Sequence, residues 1–89
     1  MKIEFDPEKD ATNQEKHGLS LADTERMEFD TAIIVADTRH AYGEERFRAY
    51  GLIDGRLCAL AYTIRGTTLR AISLRKANSR EVNRYGKRA

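Results

Sequence analysis

Arginine dominates the second half of the chain. Nine of the eleven basic residues after position 44 are arginines, and Arg75 and Lys76 stand where an apolar run ends and a basic segment begins. A guanidinium group stays charged at physiological pH and donates two parallel hydrogen bonds to a phosphate. This basic corner, and Arg75 above all, is therefore the leading candidate for contact with a phosphate group.

The charge of the chain is divided between its two halves. Residues 1–44 carry five Lys and Arg against eleven Asp and Glu, a formal charge of −6, whereas residues 45–89 carry eleven against three, a charge of +8. Such clustering favours a polyanionic partner such as a nucleic acid. The alternative is that the acidic half neutralises the basic half within the fold or faces another chain.

The basic corner must be positioned by a last strand and a terminal helix. The segment 68–85 begins with an apolar run and continues past Asn78 or Ser79, either of which can cap a helix. A period of two places Arg70 on one face with Ile72 and Leu74, and Arg75 on the other.

The elements upstream predict one α+β domain over residues 1–89. Asp6 caps a helix that Gly18 ends, and Ser20 and Asp23 have the spacing of a capping box. The apolar runs and the Asp54-Gly55 hairpin signal predict four further strands. The predicted order is β-α-α-β-β-β-β-α, a mostly antiparallel sheet with its helices packed on one face.

The strand faces predict an open trough. If the larger apolar residues point towards the helices, the opposite face carries small residues between arginines: Arg46, Arg48, Tyr50, Ala59, Ala61, Thr63, Arg65, Ser73 and Arg75. Such a surface fits a nucleic-acid backbone rather than a second core. A slip of one residue in strand register would invert the prediction.

The chain resembles the BrnT-type ribonuclease toxins of type II toxin–antitoxin systems over nearly its whole length. The resemblance lies in the order and spacing of Phe5-Asp6-Pro7, Lys9, Asn13, Lys16-His17-Gly18, Ser20, Asp30, Glu45-Arg46-Phe47, Gly51, Arg56, Thr63-Ile64-Arg65, Leu69 to Ala77, Arg80-Glu81 and Tyr85. Three positions depart from the pattern: Leu74 replaces an alanine, Glu28 a phenylalanine, and Phe47 an aromatic that is often tryptophan.

The resemblance implies a fold similar to the RelE-type toxins and RNA cleavage that uses neither metal nor cofactor. It also implies neutralisation by a BrnA-like antitoxin, a small ribbon-helix-helix DNA-binding protein that brings the toxin to operator DNA. A non-catalytic binding module, or an inactive remnant that acts as a co-repressor, is the alternative.

Metal-free RNA cleavage needs a base, an acid and positive charge at the phosphorane. The candidates are Arg46, Arg65, Arg70 and Arg75 for the charge, Glu45 or His17 as base, and Tyr85 or Lys76 as acid. Arg48, Tyr50, Lys16, His17 and Lys76 are candidates for RNA contact, and Tyr50 or Tyr42 can stack on a base.

Most of these residues also have a structural interpretation. Arg70 can pair with an acidic residue, and Lys16 and His17 suit the negative end of a helix dipole. Glu45 can form a cross-strand ion pair, and Tyr85 can pack after Val82. Glu81 most simply serves the start of the terminal helix.

Several classes of function are not supported. Two histidines and one cysteine without close spacing predict no metal site, and there is no glycine-rich phosphate loop or nucleophile elbow. No apolar run approaches the ~18 residues of a membrane span. The lone Cys58 suits a reducing compartment, so a cytoplasmic protein is expected.

Overall fold

Apolar alternation builds five strands, and capping residues begin the helices. The computed structural model describes residues 1–39, 41 and 43–86. Its elements in chain order are β1 (Lys2–Glu4), α1 (Pro7–His17), two 3₁₀ helices (Leu21–Arg26 and Phe29–Thr31), β2 (Ile33–Asp37), β3 (Arg46–Ile53), β4 (Arg56–Arg65), β5 (Thr68–Lys76) and α2 (Ser79–Tyr85). The α+β class is confirmed, although the predicted second helix forms as 3₁₀ turns.

The predicted caps form. The Asp6 carboxylate accepts from the backbone N–H of Glu8, and Gly18 ends α1 in the left-handed conformation. Ser20 and Asp23 make both hydrogen bonds of a capping box at the start of the longer 3₁₀ helix. Local sequence therefore fixes where the chain enters and leaves these helices.

The five strands form one sheet in the order β1-β5-β4-β3-β2. All pairings are antiparallel except that of β1 with β5, which is parallel. Asp54 and Gly55 both adopt positive φ in the tight turn between β3 and β4, as a two-residue hairpin turn requires. The sheet is thus mostly antiparallel, and β1 returns to pair with the last strand.

Helix α1 is held by polar side chains, since it carries little apolar surface. The amide of Asn13 donates to the carbonyl oxygens of Leu74 (2.8 Å) and Leu19 (2.7 Å), and it accepts from the Leu74 N–H at 2.9 Å. Asn13 is buried, so its side chain satisfies backbone groups of β5 beyond the end of β1. Asp10 accepts from the N–H of Leu21 and the hydroxyl of Ser20, which ties α1 to the 3₁₀ helix.

The main core lies between the sheet and the helical segment 7–31. Leu21, Leu60 and Leu74 are fully buried at its centre. Gly51 permits close packing there, because a Cβ atom at this position would lie 2.9 Å from Cγ of Met27. The core therefore covers the sheet face towards which Ala49 and Leu60 point.

The prediction that all helices pack on one face is wrong for α2. Tyr85 of α2 packs against Tyr50, whose neighbour Ala49 lies in the main core. Successive residues of a strand point to opposite faces. Helix α2 therefore covers part of the face opposite α1.

The period-two reading of the last strand fails at one position. Ala61 pairs with Ser73 and Tyr62 pairs with Ala71, so Ile72 is the extra residue of a β-bulge. Leu69 and Ala71 lie in the main core, which places Arg70 on the opposite face rather than with Leu74. The bulge thus brings Arg70 to the same face as Arg75.

Candidate functional site

Six arginines lie on the sheet face opposite α1, which we call the arginine face. Ala49 and Leu60 point into the main core, so their neighbours Arg48 and Ala61 point away from it. The same alternation applies along β3, β4 and, beyond its bulge, β5. The arginine face consists of Arg39, Arg46, Arg48, Arg65, Arg70 and Arg75, with small residues between them.

Strand register brings these side chains into neighbouring rows. One row runs from Arg48 through Ala61 to Ser73, and the row beside it pairs Ala59 with Arg75. On the other side Thr63 pairs with Arg70. The strand register thus places the small residues of the predicted trough between arginines. The trough is not open along its whole length, because α2 covers the end that contains Tyr50.

The centre of the arginine face is a small cavity of about 100 Å³. Its floor is Ala59, Ala61 and Ser73, and the side chains around it include Arg39, Arg48 and Arg75. Three guanidinium groups around a floor without large side chains suit a tetrahedral oxyanion. Arg39 is not among the candidates predicted from sequence. It lies two residues after the end of β2, so alternation places it on the same side of the sheet as Asp37.

Arg75 is held by the start of α2. Its Nη1 donates to Oε1 of Glu81 at 2.7 Å and its Nη2 to Oε2 at 2.9 Å. Oε1 of Glu81 also accepts from the backbone N–H of Asn78 at 3.0 Å. The guanidinium of Arg75, more than any other group, lowers the pKa of Glu81 to about 2, and the pKa of Arg75 is raised in turn.

Arg48 lines the cavity without a carboxylate of the described residues within ion-pair distance, although the charge of Asp37 acts on it from further away. Its Nη1 donates to the hydroxyl of Tyr50 at 2.8 Å, while its Nε is buried without a hydrogen-bond partner. No ion pair to Arg48 occurs within residues 1–39, 41 and 43–86. A guanidinium that lines a cavity without an ion pair can take an anion as its partner.

Arg39 is fixed by the end of β2. Its Nε and Nη2 donate to the two carboxylate oxygens of Asp37, each at 2.9 Å. Asp37 is buried, and the hydrogen bonds from Arg39 hold the pKa of this carboxyl well below its usual range. The side chain of Arg39 is 60% exposed, so its guanidinium stays accessible from solvent.

The other arginines of the face have looser acidic partners. Glu44 lies 3.4 Å from both Arg46 and Arg65. Arg70 donates to Glu4 at 3.2 Å across the β1–β5 pair. Its acidic partner therefore lies on the face away from α1, and not on the helix side as the period-two pattern predicts. Of these arginines, Arg65 is the most exposed, and a solvent-exposed ion pair contributes little stability.

Helix α2 covers one end of the arginine face. The rings of Tyr50 and Tyr85 stack with centroids 4.1 Å apart and planes 15° apart. Tyr50 is 1% exposed, and burial raises the pKa of its phenol. Tyr50 therefore offers no free ring face to a nucleobase in this structure, and Tyr85 serves as its packing partner.

Comparison with known protein families identifies the chain. The model of the ribonuclease toxin BrnT, of type II toxin–antitoxin systems, matches residues 5–81. The chain belongs to the BrnT toxin family. The matched residues include every strand from β2 to β5 and the Arg75–Glu81 pair. A search of curated proteins finds no match.

Several candidates in this BrnT-family chain lie away from the arginine face. Glu45 lies two residues before Phe47, so alternation places both on the same face of the sheet. Phe47 packs beside Tyr62 on the face that α1 covers. Lys16 and His17 line a separate cleft between α1 and the edge of β5. Lys76 is exposed and, by alternation along β5, lies on the same face as Leu74, which is the α1 side.

Two residues considered from sequence, His40 and Tyr42, lie outside the described residues. Within the described ranges no group of three or more His, Cys, Asp or Glu side chains is placed to hold a metal ion. Cys58 is buried, and burial raises the pKa of its thiol, as fits a small core residue. None of the described helices is long and apolar enough to cross a membrane.

Proposed function

We propose that this chain is a metal-independent RNA endonuclease that arrests growth in the cytoplasm and cleaves RNA on its arginine face. Membership of the BrnT family supports ribonuclease activity at the level of the family. The observation that carries the proposal for this chain is the cavity between Arg39, Arg48 and Arg75. Single-stranded RNA fits this face, because its flexible backbone can follow arginines that lie on four adjacent elements.

The arginines supply what metal-free cleavage needs most. The ribose 2′-hydroxyl loses its proton to water and its oxygen attacks the adjacent phosphorus. The bond to the 5′-oxygen breaks and that oxygen takes up a proton from water, so the products are a 2′,3′-cyclic phosphate and a 5′-hydroxyl end. Negative charge grows on the phosphorane oxygens as this happens, and guanidinium groups fixed beforehand stabilise that charge. We assign this role to Arg75 and Arg48, with Arg39 as a third donor.

The rest of the face holds the RNA strand. Arg46 and Arg65 lie at one end, and Arg70 lies beside Thr63 in the next row. The ion pairs of Arg65 and Arg70 are partly exposed to solvent, so a phosphate can replace the carboxylate of either pair at little cost. RNA affinity should accordingly fall steeply as salt concentration rises.

We further propose that a BrnA-like antitoxin of the ribbon-helix-helix class neutralises the toxin and links it to operator DNA. The family description places BrnT in type II toxin–antitoxin systems, which implies an antitoxin partner. The separation of charge supports a protein partner as well, since residues 1–44 are acidic and the arginine face is basic. A partner with both charge signs can engage both regions.

A non-catalytic role is the second candidate, as an RNA- or protein-binding module or as a co-repressor remnant. It is favoured by the fact that Glu81 already accepts from both terminal guanidinium nitrogens of Arg75, Nη1 and Nη2. Antitoxin-free protein incubated with end-labelled RNA in EDTA separates the two. Products with a 2′,3′-cyclic phosphate support the nuclease, whereas salt-sensitive binding with full-length RNA rejects it.

A further inference from the structure

An apolar groove lies on the α1 side of the sheet, away from the arginine face. It is lined by Ile3, Phe29, Ile34, Tyr62, Ile64 and Leu69 and has a volume of about 410 Å³. Within residues 1–39, 41 and 43–86, four large apolar side chains are exposed, and Met1, Ile34 and Ile64 of these line the groove. Exposed apolar side chains gathered in one place mark an interaction site.

The groove exists because the helical segment covers only part of the sheet. Helix α1 packs on β5, and the shorter 3₁₀ helix packs on β3. The end of the sheet near Ile64 is left without a covering helix, so Ile34 is 52% exposed and Ile64 is 39% exposed. A second layer supplied by another chain would bury both side chains.

Acidic residues lie at the groove and next to it in sequence. Glu25 lines the groove, and Glu28 and Asp30 flank Phe29 in sequence. None of these three carboxylates forms a salt bridge in the described part of the chain. On the arginine face, in contrast, Glu4, Glu44 and Glu81 are each paired with arginine.

We infer that this groove binds an amphipathic helix of the antitoxin, with large apolar residues on one side and Lys or Arg at its flanks. The inference rests on the proposed function, because it takes the occupant from the toxin–antitoxin pairing. A helix is the element that covers an open sheet face in a two-layer domain, and basic flanks complement Glu25 and its neighbours. The contact lies on the opposite face from the cavity, so it anchors the antitoxin without itself occupying the catalytic arginines.

Substitutions in the groove separate binding from catalysis. The probe is the antitoxin produced from the reading frame next to the toxin gene, and its affinity is measured by titration calorimetry. We expect Ile34→Asp and Ile64→Asp to weaken binding by at least about tenfold, since each places a charge in the apolar contact. Glu25→Lys should also weaken binding, and RNA cleavage by all three variants should stay within about twofold of wild type.

Val82→Asp is the matched control, because Val82 is the fourth exposed apolar residue and lies on α2. It should leave antitoxin affinity within about twofold of wild type. Hydrogen exchange on the unmodified complex provides a check without mutation, with slower exchange expected in segments 29–36 and 62–69.

The outcomes distinguish the two proposals. Equal affinity of wild type, Ile34→Asp and Ile64→Asp, or unchanged hydrogen exchange at the groove, would overturn the docking site while the nuclease proposal stands. A loss of antitoxin affinity with Val82→Asp as large as that with Ile34→Asp would also overturn the docking site. Wild-type protein that neither cleaves RNA nor binds this antitoxin would instead reject the proposed function.

Discussion

Glu81 binds Arg75 through both carboxylate oxygens and at the same time caps α2 through the backbone N–H of Asn78. One side chain therefore fixes the start of the terminal helix and neutralises a cation of the arginine face. An RNA phosphate that contacts Arg75 must compete with this carboxylate. The pair thus links the position of α2 to the charge available for RNA.

The Arg75–Glu81 pair should make stability depend on acid pH. The pKa of Glu81 is about 2 in the folded chain and its ordinary value is 4.5, so the unfolded chain takes up the proton more readily. The stabilisation is fully present above about pH 4.5 and is lost as pH falls towards 2. Urea unfolding at several pH values across this range should show that the free energy of unfolding falls less for Glu81→Gln than for wild type. The difference between the two proteins is the readout, because Asp37 titrates in the same acid region.

Glu81→Gln should also bind RNA more tightly. Removing the carboxylate charge frees the Arg75 guanidinium, and we expect affinity for single-stranded RNA to rise by roughly three- to tenfold at low salt. Fluorescence anisotropy with labelled RNA measures this affinity. Glu45→Gln is the control, since it removes the same charge from an exposed residue with the opposite strand parity. An equal rise in RNA affinity in both variants would mean that the change in net charge, and not the release of Arg75, causes the tighter binding.

Asn13 should be important for stability although it belongs to a polar helix. Asn13→Ala leaves the N–H and C=O of Leu74 and the C=O of Leu19 without this partner, and we expect a loss on the order of 3 kcal/mol in the free energy of unfolding. Glu15→Ala, an exposed change on the same helix, should lie within about 0.5 kcal/mol of wild type. Chemical denaturation of both variants tests this, and similar values for the two would show that the Asn13 bridge is dispensable.

Tyr85 allows its two suggested roles to be separated. Its ring stacks on Tyr50, so Tyr85→Phe should keep the contact and cleave RNA within about twofold of wild type. Tyr85→Ala should loosen α2 and increase the exposure of Tyr50, which a change in tyrosine fluorescence would report. If Tyr85→Phe lost activity on the order of 10²-fold with α2 intact, the hydroxyl would be the general acid after all.

The arginine face could be predicted from sequence because its signal is local. Along β3 and β4 the period of two is unbroken, so the shared face of Arg48, Ala59 and Ala61 follows from alternation. The caps at Asp6, Ser20 and Asn78 are also short-range hydrogen bonds. The caps at Asp6 and Ser20 could therefore be predicted without the rest of the fold, and the sequence narrows the third cap to Asn78 or Ser79.

The features that could not be predicted from the sequence depend on contacts between segments that are distant in the chain. The bulge at Ile72 follows from pairing β5 with β4, and it moves Arg70 to the other face. The docking of α2 depends on Tyr85 meeting Tyr50, 35 positions earlier in the chain. Arg39 enters the cavity because β2 lies beside β3, a pairing that its own sequence does not encode.

The most direct test of the arginine face is the rate of RNA cleavage by antitoxin-free protein in EDTA, compared between Arg75→Ala, Arg48→Ala and Arg56→Ala. Arg56 is an exposed arginine at the β3–β4 hairpin and serves as the matched control. We expect losses on the order of 10²- to 10³-fold for Arg75→Ala and Arg48→Ala, and activity within about twofold of wild type for Arg56→Ala. Equal rates in all three variants, or no cleavage by wild type, would contradict catalysis by guanidinium groups on this face.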